Sequence, residues 1–367
     1  MARLTRAQQQ KRTRAAVLAA AAEEFGERGY AEAKVDRIAE RAELTRGAVY
    51  SNFPSKRALY LAVLLDSIEP PDGSEPPPAL ELAEALGAFA RVWLERLPLT
   101  GDTDARGHLR LRSLAGVFDD ERGRTALARV LRLEGLLLGR ALESRAAHRP
   151  GARRVRMAEL VLTLLNGAGH LAAAAPGFGD PFDAVRACRH LAGLDLADAW
   201  DPPHLPYITP AQAVRDAWLP PAGLSDRLTG RRIAFDNDGV IAVLGTGRLA
   251  AAEEAVRAAR PGEQVAVAVV TDDPAEIGRL VRLRIGDLTG CLRRVFGTDA
   301  WPCLRLVLDD DATALATALG IRGGDDTEAA VRVRAGTVLA RAEGRGAGHA
   351  VAAAGDLAIR HSGEAAR

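Results

Sequence analysis

Aromatic side chains are scarce in this chain, at 4% of 367 residues. Ala, Arg and Gly are used heavily instead. Cysteine is scarcer still: Cys188, Cys291 and Cys303 are the only three. An odd, small number excludes a disulfide framework and suits a reducing cytoplasm. No run of eighteen apolar residues occurs, so no membrane span is expected. The N-terminus is polar and basic and lacks the apolar core of a signal peptide. Carboxylate and histidine residues do not fall at metal-ligand spacings, so neither a metal nor a cofactor is expected. Net charge is nearly absent too, at +1, with 48% hydrophobic and 26% charged residues, a globular composition long enough for two or three domains.

The charge that is present is uneven. Residues 1–66 hold 12 Lys/Arg against 8 Asp/Glu, and Arg3, Arg6, Lys11, Arg12 and Arg14 precede any acid. Such a basic arm suits phosphates, although a solvated tail has the same composition.

Helical spacing begins at once. Leu18, Ala21, Ala22 and Phe25 lie on one face, and Gly29 is a natural stop. Val35, Ile38, Ala39 and Ala42 repeat the spacing in a second, short helix. Thr45 caps a third that turns Ala48 and Val49 inward, and Pro54 ends it. Ser55 caps a fourth, KRALYLAVLLDSI. Two short helices with a tight link and a third behind them describe a helix-turn-helix. Its second short helix leaves Thr45, Arg46, Tyr50, Ser51 and Asn52 facing out. Arginine pairs with guanine, asparagine with adenine, and hydroxyls with phosphates or bases. Gly47 permits close approach to a duplex, and Lys56 at the next helix start suits a phosphate.

The stretches AAAEEFGERGY, VDRIAERAELTRGAVYSNF and SKRALYLAVL resemble the TetR (tetracycline-repressor) family of transcription regulators. That resemblance implies DNA contacts at Thr45, Arg46, Gly47, Tyr50, Ser51, Asn52 and Lys56, with Lys34 added at the second helix start. Lys34 and Val35 replace the family's usual threonine there, and Glu43–Leu44 replace its usual Gly-Val. The resemblance further implies a cytoplasmic, nucleoid-associated homodimer that is not an enzyme. It would bind a palindromic double-stranded operator, most often as a repressor, and respond to a small-molecule effector.

Beyond a proline-rich break at 69–79, helices are expected over 79–97, 104–117, 120–147, 152–174 and 181–193. The family pattern makes the last two a four-helix dimer interface, with Gly167, Ala168 and Ala172 allowing close approach. Trp93, His108, Phe118, Met157 and His170 are the candidate effector-pocket residues; for each, core packing is the plainer reading, and His170 also fits an interface.

The expected division is 1–68 for DNA binding, 79–194 for effector and dimer contacts, a proline-rich linker at 195–224, and a further domain at 225–360. The linker repeats DAWDPP as DAWLPP, which suggests docking of its two tryptophans on a neighbouring domain. After it, strands alternate with helices, which implies an α/β domain. RRIAFDN and VIAVLG are expected as strands around a turn at Asp236–Gly239; QVAVAVVT and CLRLVL follow, then a closing hairpin over AAVRVRAGTVLARAEG with Gly336 in its turn. The order resembles a thioredoxin or peroxiredoxin fold. Its chemistry needs a thiolate at the first long helix. GTGRLAA stands there without cysteine, and the proline expected before the hairpin is missing. GTG is too short a signal for a nucleotide loop, and the acids at 308–311 read as a solvated strand end rather than a metal site. The competing reading is a thiol-based redox enzyme or sensor, with Cys291 and Cys303 as its thiols, fused to a DNA-binding module.

Overall fold

The computed structural model describes residues 5–68, 80–95, 97, 109, 114, 116–145, 153–175, 177–196, 198, 202–235 and 238–354. The first unit, the head, holds four helices: α1 (Arg6–Glu32), α2 (Val35–Arg41), α3 (Arg46–Asn52) and α4 (Lys56–Asp66). From Arg6 onward the basic run is helical, because Thr5 and Gln8 form a capping box that starts α1 at Arg6. Gly29, at φ 68° and ψ 177°, breaks the helical backbone where the sequence places a stop, and a last short turn runs on to Glu32. Val17, Ala21 and Phe25 bury one face of α1 against Ile38, Val49, Phe53 and Leu59. The fully buried Glu24 ties α1 to α2 through Arg28, Arg41 and the Lys34 N–H.

The middle unit packs α5 (Leu82–Leu94) against α8 (Pro181–Leu191), and α6 (Glu121–Glu143) against α7 (Val155–Ala174). Gly139 allows the closest approach of α6 to α7, since a Cβ there would stand 2.9 Å from the Val155 Cα. Gly167 has open space instead, so it makes no close crossing within the chain. The helix expected over 104–117 and the proline-rich break lie almost wholly outside the described residues.

The third lobe is a six-stranded mixed sheet ordered β1-β8-β7-β4-β5-β6. Its strands are β1 (Gln212–Ala217), β4 (Gly239–Gly245), β5 (Gln264–Val270), β6 (Leu304–Val307), β7 (Glu328–Arg334) and β8 (Thr337–Glu343). β4, β5 and β6 run parallel, and β7, β8 and β1 add antiparallel pairs. The helices are α9 (Ala251–Ala258), α10 (Ile277–Phe296), α11 (Asp309–Ala318) and α12 (Ala347–Ala353).

Two expectations are corrected. The RRIAFDN segment does not pair with β4; its β3 (Arg232–Ile233) forms a separate ribbon with β2 (Leu224–Ser225). The stretch 195–224 is not only a linker, because β1 closes the sheet edge on β8 and Trp218 is buried, its indole N–H donating to the Phe235 carbonyl at 2.7 Å. The other tryptophan, Trp200, is outside the described residues.

Strand alternation divides two cores. Val240, Ala242, Leu244, Val265, Val267 and Val269 lie in one core with α9, α10 and α12 and merge with the helical unit's core. Ile241, Val243, Ala266, Ala268 and Val270 face α11 and Trp218. The lobe is therefore welded to the helices by one sheet face.

Candidate nucleic-acid interface

Local chemistry builds α3. The Thr45 hydroxyl accepts from the Ala48 N–H at 3.2 Å and opens it. Val49 and Phe53 are buried and hold it to the head. The opposite side is open: Thr45, Arg46, Gly47 and Ser51 are exposed, Asn52 is half-buried, and Tyr50 retains 37% of its accessible surface. Its polar groups rest on partners that water or DNA can replace. Arg46 lies 3.3 Å from Asp36, both 62% exposed, with its guanidinium 5.5 Å from the Tyr50 ring centre. Ser51 and Asn52 both donate to the Ala48 carbonyl at 2.9 Å. A Cβ on Gly47 would meet only the Thr45 hydroxyl, at 3.9 Å, so this surface is clear.

Lys34, exposed, precedes α2 at the N-cap position, two residues from Asp36. Lys56 follows the Ser55 cap of α4. Its ammonium donates to the Ala31 carbonyl at 3.1 Å and lies 4.8 Å from the Tyr30 ring, and partial burial lowers its pKa.

Arg14 and Arg279 were not singled out from the sequence as partners of α3. Their guanidiniums lie 4.4 and 5.6 Å from the Phe53 ring centre, at the foot of α3. Arg14 was legible only as part of a basic run; Arg279 arrives from α10, and no local pattern announces it.

The third lobe docks on the start of α4 and, through Arg279, reaches Phe53 at the foot of α3. Glu276, just before α10, accepts from the Ser55 hydroxyl and pairs with Arg57 at 3.1 Å. Arg57 also holds Asp120, the cap of α6, at 2.6 Å, so one guanidinium joins all three units. Arg279 donates to the Ala58 carbonyl at 2.7 Å.

Four of the five expected effector residues are described, and they fall in three places. Trp93 and Met157 are buried in the helical core. Phe118 belongs to the head's core, 5.0 Å from the Arg57 guanidinium. His170 is exposed on α7, and His108 is outside the described residues.

Where the redox thiol of the resembled fold would stand, Thr246 donates to Asp325 at 2.8 Å. Thr271 and Arg122 converge on the same carboxylate. A Cβ on Gly245 would be 2.2 Å from the Asp325 carbonyl oxygen, so the GTG stretch serves close packing. The cysteines are free thiols, and burial pushes Cys188 up to about 11. Two of the aspartates at 309–311 are structural: Asp309 holds Arg227 and Arg282, and Asp311 accepts from the Ser225 N–H, while Asp310 is exposed. Among the described residues, no cluster of three or more His, Cys, Asp or Glu is placed to hold a metal.

Residues 17–63 match the family described as bacterial regulatory proteins, tetR family. This segment is a TetR-family N-terminal domain. It spans the body of the TetR-type head from Val17 in α1 to Val63 in α4. No relative among curated proteins matches the chain. Among solved structures it is similar to NalD, the secondary repressor of the MexAB-OprM multidrug efflux pump in Pseudomonas aeruginosa. That match has 22% identity and a TM-score of 0.31, covering 49% of this chain and 94% of that one. A TetR transcriptional regulator from Rhodococcus sp. RHA1 matches at 21% identity and a TM-score of 0.30, covering 51% and 99%. Likeness at these scores adds no weight to the match over 17–63.

Proposed function

We propose that the protein is a DNA-binding transcriptional regulator, a repressor that grips a palindromic operator as a homodimer. The observation that carries this reading is the open polar side of α3. The third lobe docks on α4 and leaves Thr45, Arg46, Tyr50 and Ser51 exposed. A two-turn helix fixed by Val49 and Phe53 presents these donors to a major groove, with Lys34 and Lys56 at its flanks for phosphates.

A dimer brings two such helices about 34 Å apart, one duplex turn. The α7–α8 side supports a dimer. Leu171, Phe178, Phe182 and Leu194 are exposed there, Phe182 at 72%, around the open Gly167. The helix α7 is also long and apolar enough to cross a membrane by length and composition alone. Val155, Met157, Ala158, Val161, Leu162 and Leu165 are nonetheless buried against its neighbours, which favours a packed interface helix.

The third lobe is read as a thioredoxin-like scaffold without thiol chemistry. Support comes from parallel β4 and β5 with the antiparallel β7–β8 hairpin alongside, and from Thr246 at the thiol's position. A small-molecule effector would act through the helical unit, near Trp93.

The test is selection of bound fragments from random DNA, followed by affinity measurement on the enriched sequence. A palindromic site bound by two chains is expected; no enrichment over the starting pool would overturn the reading.

A further inference from the structure

One helix of the third lobe, α10, touches both other units. Near its start, Ile277, Leu280 and Leu283 belong to the head's core. At the next residue, Arg284 enters the helical unit. Its guanidinium donates to both carboxylate oxygens of Glu134, at 2.8 and 2.7 Å. It also donates to the Asn166 side-chain oxygen at 3.2 Å and lies 5.9 Å from the Trp93 ring centre. Glu134 is 0% exposed and Arg284 11%. A planar fork on a carboxylate, an amide oxygen and an indole nearby are the chemistry that recognises a guanidinium. The three receiving residues come from α5, α6 and α7, and the guanidinium comes from a different unit of the chain.

We propose that Trp93, Glu134 and Asn166 form a guanidinium-binding site whose resident ligand is the chain's own Arg284, and that its filling sets the position of the DNA-binding head. The second half rests on the DNA-binding reading above. The mechanical link is α10 itself, a rod of 20 residues, about 30 Å long at 1.5 Å per residue. Filling the site fixes the rod against α5, α6 and α7. The rod's start then holds α4 through Glu276 on Ser55 and Arg57, and through Arg279 on the Ala58 carbonyl. An empty site takes the bidentate guanidinium away from the buried Glu134 and loosens that hold. Other bonds keep the lobe docked meanwhile: Trp301 donates to the Leu137 carbonyl at 3.0 Å and Arg145 to the Phe296 carbonyl at 3.0 Å.

The test uses the full-length Arg284→Ala variant with methylguanidinium chloride at millimolar concentration, and methylammonium chloride at equal ionic strength as the control. Thermal unfolding and affinity for the selected operator are both read. The variant is expected to melt earlier and to bind operator at least about tenfold more weakly, as removal of one partner of a buried pair implies. Methylguanidinium restores both readings, methylammonium neither, and Glu134→Gln in the same background abolishes the recovery. If Arg284→Ala folds poorly, the yield of refolded protein with and without methylguanidinium replaces the melting readout. Equal recovery by both salts, or none, overturns the site. Recovered melting with operator affinity unchanged throughout overturns the coupling. If the wild type binds no DNA while melting still recovers, the DNA-binding reading fails and the guanidinium site stands.

Discussion

Two arginine–carboxylate pairs in this molecule differ in geometry and in surroundings: one is a long contact through a single nitrogen, the other a short two-point fork. Arg46 and Asp36 sit on the head's outer side, each 62% exposed. Arg284 and Glu134 sit where α10 crosses α6, with Glu134 fully buried. Water screens the first pair, so the partners separate readily and Arg46 is free to exchange aspartate for a base edge. Water cannot reach Glu134, so separating the second pair leaves a charge in a low-dielectric interior. Burial and the two-point fork together decide which arginine is available to DNA and which is a fixed joint.

The sharpest way to break this contrast is to delete one acid from each pair. Glu134→Ala is expected to destabilise the protein by about 3–5 kcal/mol, because it strands Arg284. Asp36→Ala should leave the denaturation midpoint unmoved. Equal midpoints for the two variants would erase the distinction.

Next in size is Arg46→Ala. Affinity for the selected operator should fall roughly ten- to hundredfold with non-specific binding retained, the loss of one bidentate base contact. Unfolding curves of the variant should overlay the wild type.

Ser55→Ala tests the head's inner side. Losing the α4 cap costs about 1 kcal/mol. Because Ser55 also donates to Glu276, it should cost more than Thr45→Ala, whose hydroxyl caps α3 alone. Equal costs by chemical denaturation would show that the Glu276 contact is inert.

Lys56→Ala is a smaller change, spread evenly over sequences. It should weaken operator and random DNA alike and reduce the slope of log affinity against log salt by about 1. A slope identical to the wild type's would remove Lys56 from the phosphate contacts.

The smallest effect concerns acid. Burial pushes Asp325 upward, but hydrogen bonds from Thr271, Thr246 and Arg122 outweigh it and hold its pKa below the ordinary 3.8. A depressed folded value means that the stabilisation is present above pH 3.8 and is lost as pH falls through the folded value. Asp325→Asn should therefore flatten stability against pH on that acid side only. An unaltered profile below pH 4 would show that Asp325 contributes nothing to acid unfolding.

Legibility followed the range of the forces involved. The caps at Thr45 and Ser55 act within three residues, and the structure has both. The apolar runs of β4, β5 and β6 stood out because they are buried strands. β1 was missed because QAVRDA has an exposed pattern and becomes a strand only through β8, more than a hundred residues away. The α3 surface was readable as a set of exposed donors. The effector set was not readable, because burial alone does not say which core residues share a wall.

Local sequence determined the head: spacing places Ala21, Phe25, Ile38 and Val49 inward, hydroxyl caps set where α3 and α4 begin, and what remains outward is what α3 offers. Only the tertiary structure decided that a helix from the third lobe joins the head to the helical unit. The reason is physical: the Arg57–Glu276 and Arg284–Glu134 pairs span 219 and 150 residues. No short-range preference encodes them, and they exist only once three hydrophobic surfaces have packed around them.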